Sequence, residues 1–247
     1  MGGAMSEILP GLYVGNIRDA QGKEKLEANN ITHILSIHDN AKELIPDKKY
    51  LCIVAGDNPH QDLMQFFPQC IDFIHQARLC GGSVLVHCLA GVSRSVTVTA
   101  AYMMTATSLG WRDAINAIRG ARNQANPNFG FQKQLQRYEN EELEKAREKF
   151  KEKYPENKFN DEADCKQLLR CFKHFVQTGE STTNATSVPK DEHDGLYPLP
   201  PNAYSSNRHC KLDPDTVPEL NASGSEGTAS AEAATSEAAS PKGGQSN

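Results

Sequence analysis

Three features that would indicate a membrane-spanning, a disulfide-bonded or a nucleic-acid-binding protein are missing from this chain of 247 residues. It has no run of 18 or more apolar residues, so no transmembrane helix is expected. No stripe of Lys and Arg suggests contact with nucleic acid. The seven cysteines lack a repeated spacing, which argues for a reducing compartment and against a disulfide framework. The chain is long enough for one hydrophobic core of ordinary size.

Charge is spread unevenly along the chain. Residues 180–247 contain 4 Lys or Arg and 10 Asp or Glu, a net charge of −6, whereas residues 1–179 are close to neutral. Ser, Thr, Ala, Pro, Gly and Glu dominate the acidic part, and this composition is typical of disordered segments. We therefore expect a short N-terminal segment (1–6), a folded domain (7–150), a helical extension (151–179) and a disordered tail (180–247).

The most informative stretch runs from His87 to Ser95. A short apolar strand at residues 83–86 precedes it, and a nearly continuous apolar and β-branched segment, predicted to be helical, follows it. A loop between a buried strand and a helix presents free backbone amides, and the helix dipole favours an anion there. The stretch therefore predicts a phosphate-binding loop. The residues expected around the phosphate are Leu89, Ala90, Gly91, Val92, Ser93 and Arg94.

Cys88, at the rim of this loop, is a candidate nucleophile. A free thiol with a pKa near ~8.5 is about 3% ionised at neutral pH, whereas a helix N-terminus and an arginine can lower that pKa to ~3.5–7.5. Arg94 can grip two oxygens of a phosphoryl group and stabilise its transition state. Gly91 lets the loop curl with a positive φ angle. Ser95 can donate its hydroxyl to the sulfur, and His87 can brace the loop through its ring nitrogens.

Two structural interpretations compete with this assignment. A buried structural thiol would be preferred if Arg94 and Gly91 were absent, because free cysteine is among the most buried residue types. A zinc site at His87 and Cys88 is disfavoured, because adjacent ligands lack the paired spacing of structural zinc sites. The catalytic interpretation is therefore the stronger one.

The pattern His-Cys-x-x-Gly-x-x-Arg-Ser at residues 87–95 resembles the signature loop of cysteine-dependent protein phosphatases. Residues 8–16, 32–36 and 125–131 are similar to the small atypical dual-specificity phosphatases, and most similar to the myristoylated members linked to stress-kinase signalling. Strands alternating with helices favour a mostly parallel sheet. The resemblance implies that this sheet belongs to an α/β fold of the cysteine-phosphatase type, flanked by helices. It also implies hydrolysis of phosphotyrosine, and of phosphoserine or phosphothreonine, on proteins of kinase pathways.

The chemistry needs a general acid, because the leaving oxygen takes a proton as the thiolate attacks. Asp57 lies 31 positions before Cys88, where the resembling phosphatases carry that acid, although aspartate also occurs in such turns for local reasons. Asp62 is the competing carboxylate, but with Gln65 three residues later it fits a capping box at a helix start. Asn128 resembles the asparagine that steadies the catalytic loop in that family, so we assign it a supporting role.

These residues predict a two-step reaction through a phosphocysteine on Cys88, without metal or cofactor. Asp57 would act first as acid and then as base, with help from Ser95. A phosphatase of lipids or RNA 5′ ends can share the loop, but residues 89–93 lack the additional basic side chains that would favour such polyanions. Rhodanese-like or arsenate-reductase chemistry is disfavoured by Asp57 and by the segment around Asn128. A non-enzymatic binding module is disfavoured because nucleophile, arginine and acid are all present, while a scaffold role beside catalysis stays open.

The N-terminus fits the pattern for myristoylation of Gly2 after removal of the first methionine. Gly3 replaces the asparagine that is usual in the similar family members. Only Arg18, Lys23 and Lys25 lie nearby as positive charges, and one acyl chain without a polybasic patch binds a membrane weakly and reversibly. We expect a protein that divides between the cytoplasm and the inner face of the plasma membrane, with the nucleus left open.

The remaining expectations concern the surrounding helices. Apolar residues recur at helical spacing over residues 63–77, where Pro68 predicts a kink or an irregular first turn. Arg119 and Arg122 could help to bind a second phosphate, but a solvated charged face is the preferred interpretation.

Two more helices complete the prediction. One runs from Phe129 to Lys151, and an amphipathic helix covers residues 161–177. The second helix could dock on the domain or touch a membrane surface.

Overall fold

The chain folds around one five-stranded sheet in a computed structural model that describes residues 4–156 and 158–179. The strands are β1 (Ser6–Leu9), β2 (Leu12–Gly15), β3 (Ile31–Ile37), β4 (Lys49–Ile53) and β5 (Ser83–His87). The helices are α1 (Ile17–Gln21), α2 (Lys23–Ala28), α3 (Phe67–Leu79), α4 (Arg94–Ala106), α5 (Trp111–Ala121), α6 (Phe129–Glu141), α7 (Leu143–Lys153) and α8 (Asp161–Thr178). Gly2 and the predicted disordered tail lie outside the described residues.

The order of strands in the sheet is β1-β2-β5-β3-β4. All neighbouring pairs are parallel except β1 and β2, so the predicted mostly parallel sheet is confirmed. Every residue of β5 is buried, which is why this central strand reads as an apolar run rather than an alternating pattern. The carboxyl ends of parallel strands meet at one edge of a sheet, where the loops after β3, β4 and β5 come together.

Helix α4 follows β5 after a short loop and is buried over almost its whole length. Its Val and Thr residues are poor helix formers, so packing in the core must stabilise it. Helix α3 begins at Phe67, which places Pro68 in the first turn, where no intrahelical hydrogen bond is lost. The irregular turn predicted there is a 3-10 turn over Met64–Phe66, and the proline needs no kink.

The capping box predicted at Asp62 is half right. The Asp62 carboxylate accepts a hydrogen bond from the Met64 amide at 3.0 Å, as a cap should. The Gln65 side chain, however, donates to the Asp62 carbonyl instead of accepting from the Asp62 amide. Asp62 therefore stabilises the start of the 3-10 turn and has a structural role.

Two boundaries differ at the end of the domain. The single helix predicted from Phe129 to Lys151 is interrupted at Glu142, whose φ of −127° leaves the helical region. After this break α7 packs on α4, and Arg147 donates to the carbonyls of Met104 and Leu109. Helix α8 packs along α5 with its apolar face buried, so the docking alternative for residues 161–177 is correct. None of the helices in the described ranges is both long and apolar enough to cross a bilayer.

Candidate active site

Cys88 lies directly after β5, at the bottom of the phosphate loop (residues 88–94). Its side chain is buried, and its Sγ accepts a hydrogen bond from the Gly91 amide at 3.2 Å. The hydroxyl of Ser95, in the first turn of α4, lies 3.4 Å from the same sulfur. The loop therefore curls around the thiol, and the hydroxyl predicted to help it is within reach.

The surroundings of Cys88 favour the thiolate. Burial alone would raise the pKa of the thiol, but hydrogen bonds from the Ser95 side chain and from the amides of Ser95, Val92 and Gly91 outweigh it, so the net pKa lies below its ordinary value. The hydroxyl and the backbone dipoles at the helix start thus lower the pKa of Cys88. The buried Arg122 guanidinium also interacts electrostatically with this thiol, so the sequence-based expectation of an arginine near Cys88 is met.

Gly91 has a φ of +69°, as its predicted role in the curled loop requires. A Cβ atom there would lie 2.5 Å from the Gly15 carbonyl oxygen and 2.7 Å from Nη2 of Arg122. Two buried groups therefore surround this position, and glycine is needed for space as well as for conformation.

Arg119 and Arg122 are buried, so the solvated charged face expected for them is wrong. Arg122 donates through Nε to the Gly91 carbonyl at 2.8 Å and through Nη1 to Ala4 and Ser6 in the N-terminal segment. Arg119 donates to the carbonyl of Ala125, in the segment that leads to α6. Both guanidiniums act as braces behind the site, because loop carbonyls need donors that water cannot supply there.

Ser93 occupies the N-cap position of α4, yet its hydroxyl makes no capping bond. It donates instead to Oδ1 of Asp57 at 2.7 Å, and it accepts from the Asn128 amide at 3.3 Å. Serine usually satisfies a helix-start amide from this position. Because this one does not, the first amides of α4 stay available to an anion.

Asp57 lies on the loop between β4 and the 3-10 turn, over the phosphate loop. Its Oδ1 accepts from Ser93 and also from Nδ2 of Asn128 at 2.9 Å, while its Oδ2 lies 3.6 Å from Nε of Arg94. Two donors thus hold one carboxylate oxygen, and the other points toward the arginine. Asn128 also caps α6 through its side-chain oxygen. Its backbone amide contacts the phosphate loop at Ser93, and its side chain supports Asp57.

Arg94 is buried, and its Nη1 donates to Oδ2 of Asp39 at 2.7 Å and to the Ala55 carbonyl at 2.9 Å. Its Nε is buried without a hydrogen-bond partner among the described residues. A buried donor left unpaired costs about 1–3 kcal/mol, which a bound phosphoryl oxygen would recover.

His87 is fully buried below the loop, where desolvation lowers its pKa to about 4. It is therefore neutral at physiological pH and gives Cys88 no positive neighbour. Its Nδ1 lies 3.3 Å from the Cys88 carbonyl oxygen, while its Nε2 has no partner in the described part of the chain. The predicted bracing thus involves one ring nitrogen.

The rest of the phosphate loop is fixed through its backbone. The Leu89 carbonyl accepts from the Ile17 amide at 3.3 Å, and the Val92 carbonyl accepts from the Asn126 amide at 2.8 Å. The Leu89 side chain is exposed and borders a cavity of about 260 Å³ beside the loop. The other residues lining this cavity are Ile17, Gln21, His38, Asp39, Asn40, Lys42 and Leu44.

The structure therefore brings together Cys88, Arg94, Asp57, Ser95 and Asn128, and leaves Asp62 outside this constellation. Sequence reasoning missed Asp39 altogether. Its position two residues after β3, which pairs with β5, is a signal that could have placed it at the same edge of the sheet. Within residues 4–156 and 158–179, no three His, Cys, Asp or Glu side chains cluster as a metal site would require.

Comparison with known proteins gives a consistent result. Residues 12–141 match the family described as "Dual specificity phosphatase, catalytic domain". A protein of Xenopus tropicalis named dual specificity protein phosphatase 22 is 51% identical over 206 residues, which cover 83% of this chain and 98% of that protein. The Homo sapiens protein of the same name is 52% identical over 169 residues, covering 68% and 92%. A crystal structure of DUSP15 superposes with a TM-score of 0.61 at 46% identity, covering 63% of this chain and all of that one.

Proposed function

The chain belongs to the dual-specificity phosphatase family, and from this premise we propose that it hydrolyses phosphotyrosine and phosphoserine or phosphothreonine esters through a phosphocysteine on Cys88. Protein phosphatase activity follows from membership of the family. The residues that perform it, and the esters it accepts, are our proposal. The observation that carries the proposal is the buried Cys88 thiol, whose sulfur contacts the Ser95 hydroxyl and the Gly91 amide, so that its pKa is lowered toward the thiolate.

In the first step the Cys88 thiolate attacks phosphorus and the bond to the ester oxygen breaks. Amides of residues 89–94 and the free edge of Arg94 hold the three non-bridging oxygens. Oδ2 of Asp57 gives a proton to the leaving oxygen, while Ser93 and Asn128 hold Oδ1. The products of this step are the free alcohol or phenol and a phosphocysteine.

In the second step water attacks the phosphocysteine, and Asp57, now ionised, takes its proton. The bond between phosphorus and sulfur breaks, inorganic phosphate leaves, and the Ser95 hydroxyl stabilises the sulfur as it regains negative charge. All proton transfers are assigned to side chains of this chain, so neither step is routed through a metal or a cofactor.

The cellular setting is a second part of the proposal. The sequence Met1 to Ser6 supports myristoylation of Gly2, and with it reversible contact with the inner face of the plasma membrane. Phosphoproteins of kinase signalling in the cytoplasm are the proposed substrates. Ala4 and Ser6 contact Arg122, which also donates to the Gly91 carbonyl of the phosphate loop.

The main test is the pH dependence of aryl phosphate hydrolysis by the wild type, Cys88→Ser and Asp57→Ala, with EDTA present throughout. We expect a bell-shaped wild-type profile and no turnover by Cys88→Ser. Asp57→Ala should lower turnover by ~10² to 10⁴ and lose the basic limb of the profile. Asp62→Ala is the matched control and should keep wild-type turnover. Hydrolysis by Cys88→Ser would exclude the phosphocysteine route. If turnover fell in Asp62→Ala and not in Asp57→Ala, the general acid would be Asp62.

Substrate range and lipidation need separate measurements. Phosphate release from matched phosphotyrosine, phosphoserine and phosphothreonine peptides tests the proposed dual specificity, which fails if only one class is hydrolysed. Coexpression with an N-myristoyltransferase should add one myristoyl group to the wild type and none to Gly2→Ala. An unmodified wild-type chain would refute the lipidation proposal.

A further inference from the structure

The guanidinium of Arg94 has two different edges. On one side, Nη1 donates hydrogen bonds to Oδ2 of Asp39 at 2.7 Å and to the Ala55 carbonyl at 2.9 Å. Nε lies on the other side and shares an edge with Nη2. It is buried without a hydrogen-bond partner among the described residues, and its ion-pair neighbour Oδ2 of Asp57 stays 3.6 Å away. Arginine binds two oxygens of one oxyanion through two parallel N–H groups. The contacts at Nη1 therefore leave the Nε and Nη2 edge for the phosphoryl group.

Asp39 reaches Arg94 from the loop that follows β3. Its position is set by the register of β3 on β5, which places the ends of the two strands side by side. The side chain is 61% exposed, so the carboxylate keeps much of its hydration. The hydrogen bond from Arg94 also holds the pKa of Asp39 below its ordinary value, which keeps it ionised. An acceptor of full negative charge is thus present at Nη1 at neutral pH.

We propose that Asp39 is a positioning residue for the reaction, which fixes Arg94 so that its Nε and Nη2 edge faces the transferring phosphoryl group. This inference rests on the proposed function and assigns a residue to it that touches neither substrate nor nucleophile. Ala55 supplies one backbone acceptor, which fixes one N–H direction. The carboxylate fixes the second, and two fixed directions determine the plane of the guanidinium.

An alternative role for Asp39 predicts a different pattern. A carboxylate at the mouth of the site could act only through its charge, by weakening the attraction between Arg94 and a phosphate dianion. Asparagine keeps an oxygen that can accept from Nη1 but carries no charge, while alanine loses both. If Asp39 positions Arg94, Asp39→Asn should keep the kcat and the oxyanion binding that Asp39→Ala loses. If Asp39 acts only through its charge, the two variants should have the same kcat and the same oxyanion binding.

The test compares Asp39→Ala and Asp39→Asn with the wild type, and with Asp47→Ala as the control for an exposed aspartate on the same connection. Aryl phosphate hydrolysis gives kcat and KM, and competitive inhibition by tungstate reports the binding of an oxyanion without turnover. We expect Asp39→Ala to lower kcat about tenfold and to weaken tungstate inhibition, with Asp39→Asn within about threefold of the wild type in both. Asp47→Ala should match the wild type, and all variants should unfold at similar temperatures.

The outcomes separate this inference from the function on which it rests. Wild-type turnover that depends on Cys88, together with an unchanged kcat in Asp39→Ala, overturns the positioning role and leaves the phosphatase mechanism intact. Equal effects in Asp39→Ala and Asp39→Asn overturn it in favour of a charge effect. No turnover dependent on Cys88 in the wild type overturns both. If Asp39→Ala does not fold, the same comparison is made between Asp39→Asn and Asp39→Leu, whose side chains branch at Cγ as aspartate does.

Discussion

Two arginine–aspartate pairs with the same separation of 2.7 Å lie in different surroundings in this molecule. In the closed pair, Arg78 and Asp161 are both buried, with 1% and 2% of their side chains exposed. In the open pair, Arg94 is 4% exposed and Asp39 is 61% exposed. Distance alone therefore does not distinguish them.

The difference lies in how many donors are satisfied. Arg78 binds Asp161 through two nitrogens, and it also donates to the Tyr102 hydroxyl and the Pro10 carbonyl, while its guanidinium lies over the Phe159 ring. Nε of Arg94 has no hydrogen-bond partner in the part of the chain that the structure describes, and only the longer ion-pair contact of 3.6 Å with Oδ2 of Asp57. All three guanidinium nitrogens of Arg78 donate hydrogen bonds within the protein, so Arg78 has a structural role and connects α8 to the core. Arg94 is oriented by its contacts at Nη1 but keeps N–H groups on its other edge that can bind an anion.

The largest effect should follow from breaking the closed pair. Asp161→Ala leaves the Arg78 charge buried without its partner and should lower the free energy of unfolding by about 3–5 kcal/mol, measured by urea denaturation. Turnover well below the melting temperature should stay near the wild-type value, because the Asp161 carboxylate binds Arg78 of α3 and not the phosphate loop. Lys166→Ala, which removes an exposed charge from the same helix, should cost no more than about 1 kcal/mol. Equal losses in both variants would contradict the distinction between the pairs.

Substitution of the arginine of the open pair should instead lower the rate of catalysis. Arg94→Lys keeps the charge but cannot present two parallel N–H groups, so kcat for aryl phosphate should fall by ~10² to 10³. The free energy of unfolding should change much less than in Asp161→Ala. The paired measurement of kcat and urea stability checks both statements. A lysine variant within tenfold of wild-type turnover would show that charge alone serves at this position.

The free energy of unfolding should fall in acid, because a buried histidine, His75, lies near the closed pair. His75 is buried against Tyr102, Phe150 and Tyr154, and desolvation lowers its pKa to about 4. The folded state keeps this imidazole neutral, while the unfolded chain binds a proton near pH ~6.5. The contribution of His75 is thus complete above that pH and is lost as pH falls toward 4.

The corresponding experiment is urea denaturation of the wild type and His75→Phe at pH 7 and pH 5. One such histidine should contribute about 2 kcal/mol to the loss of stability between these values. His75→Phe should therefore lose less stability than the wild type over the same interval. Parallel losses in the two proteins would show that His75 titrates normally in the fold.

The smallest effect should come from Ser93, which orients Asp57 beside the open pair. Ser93→Ala removes one of two donors to Oδ1, and Asn128 keeps the other, so kcat should fall by about 3- to 10-fold. Because the Ser93 hydroxyl does not cap α4, stability should change by less than about 1 kcal/mol. Steady-state kinetics and thermal unfolding measure the two quantities. A destabilisation of the size normal for a lost helix cap, without any change in kcat, would exclude the orienting role.

The features foreseen from sequence and those missed differ in a physical way. Cys88, Arg94, Ser95 and the loop amides lie within nine consecutive residues, so strand, loop and helix patterns alone place them together. Asp57 came from resemblance and from the need for an acid. The solvated face assigned to Arg119 and Arg122 failed because charge on a helix says nothing about which loops pack over it. The uninterrupted helix after Phe129 failed because the break at Glu142 accompanies the packing of α7 on α4.

The sequence by itself determined the parallel sheet and the phosphate loop, because both depend on apolar periodicity and on neighbours in the chain. Tertiary structure decided which carboxylate holds Arg94, which hydroxyl orients Asp57 and which arginine joins α8 to the core. These partners are 55, 36 and 83 residues apart in the chain. Local patterns do not encode such contacts. They arise only when the register of the strands and the packing of the helices bring polar groups together in places where water cannot satisfy them.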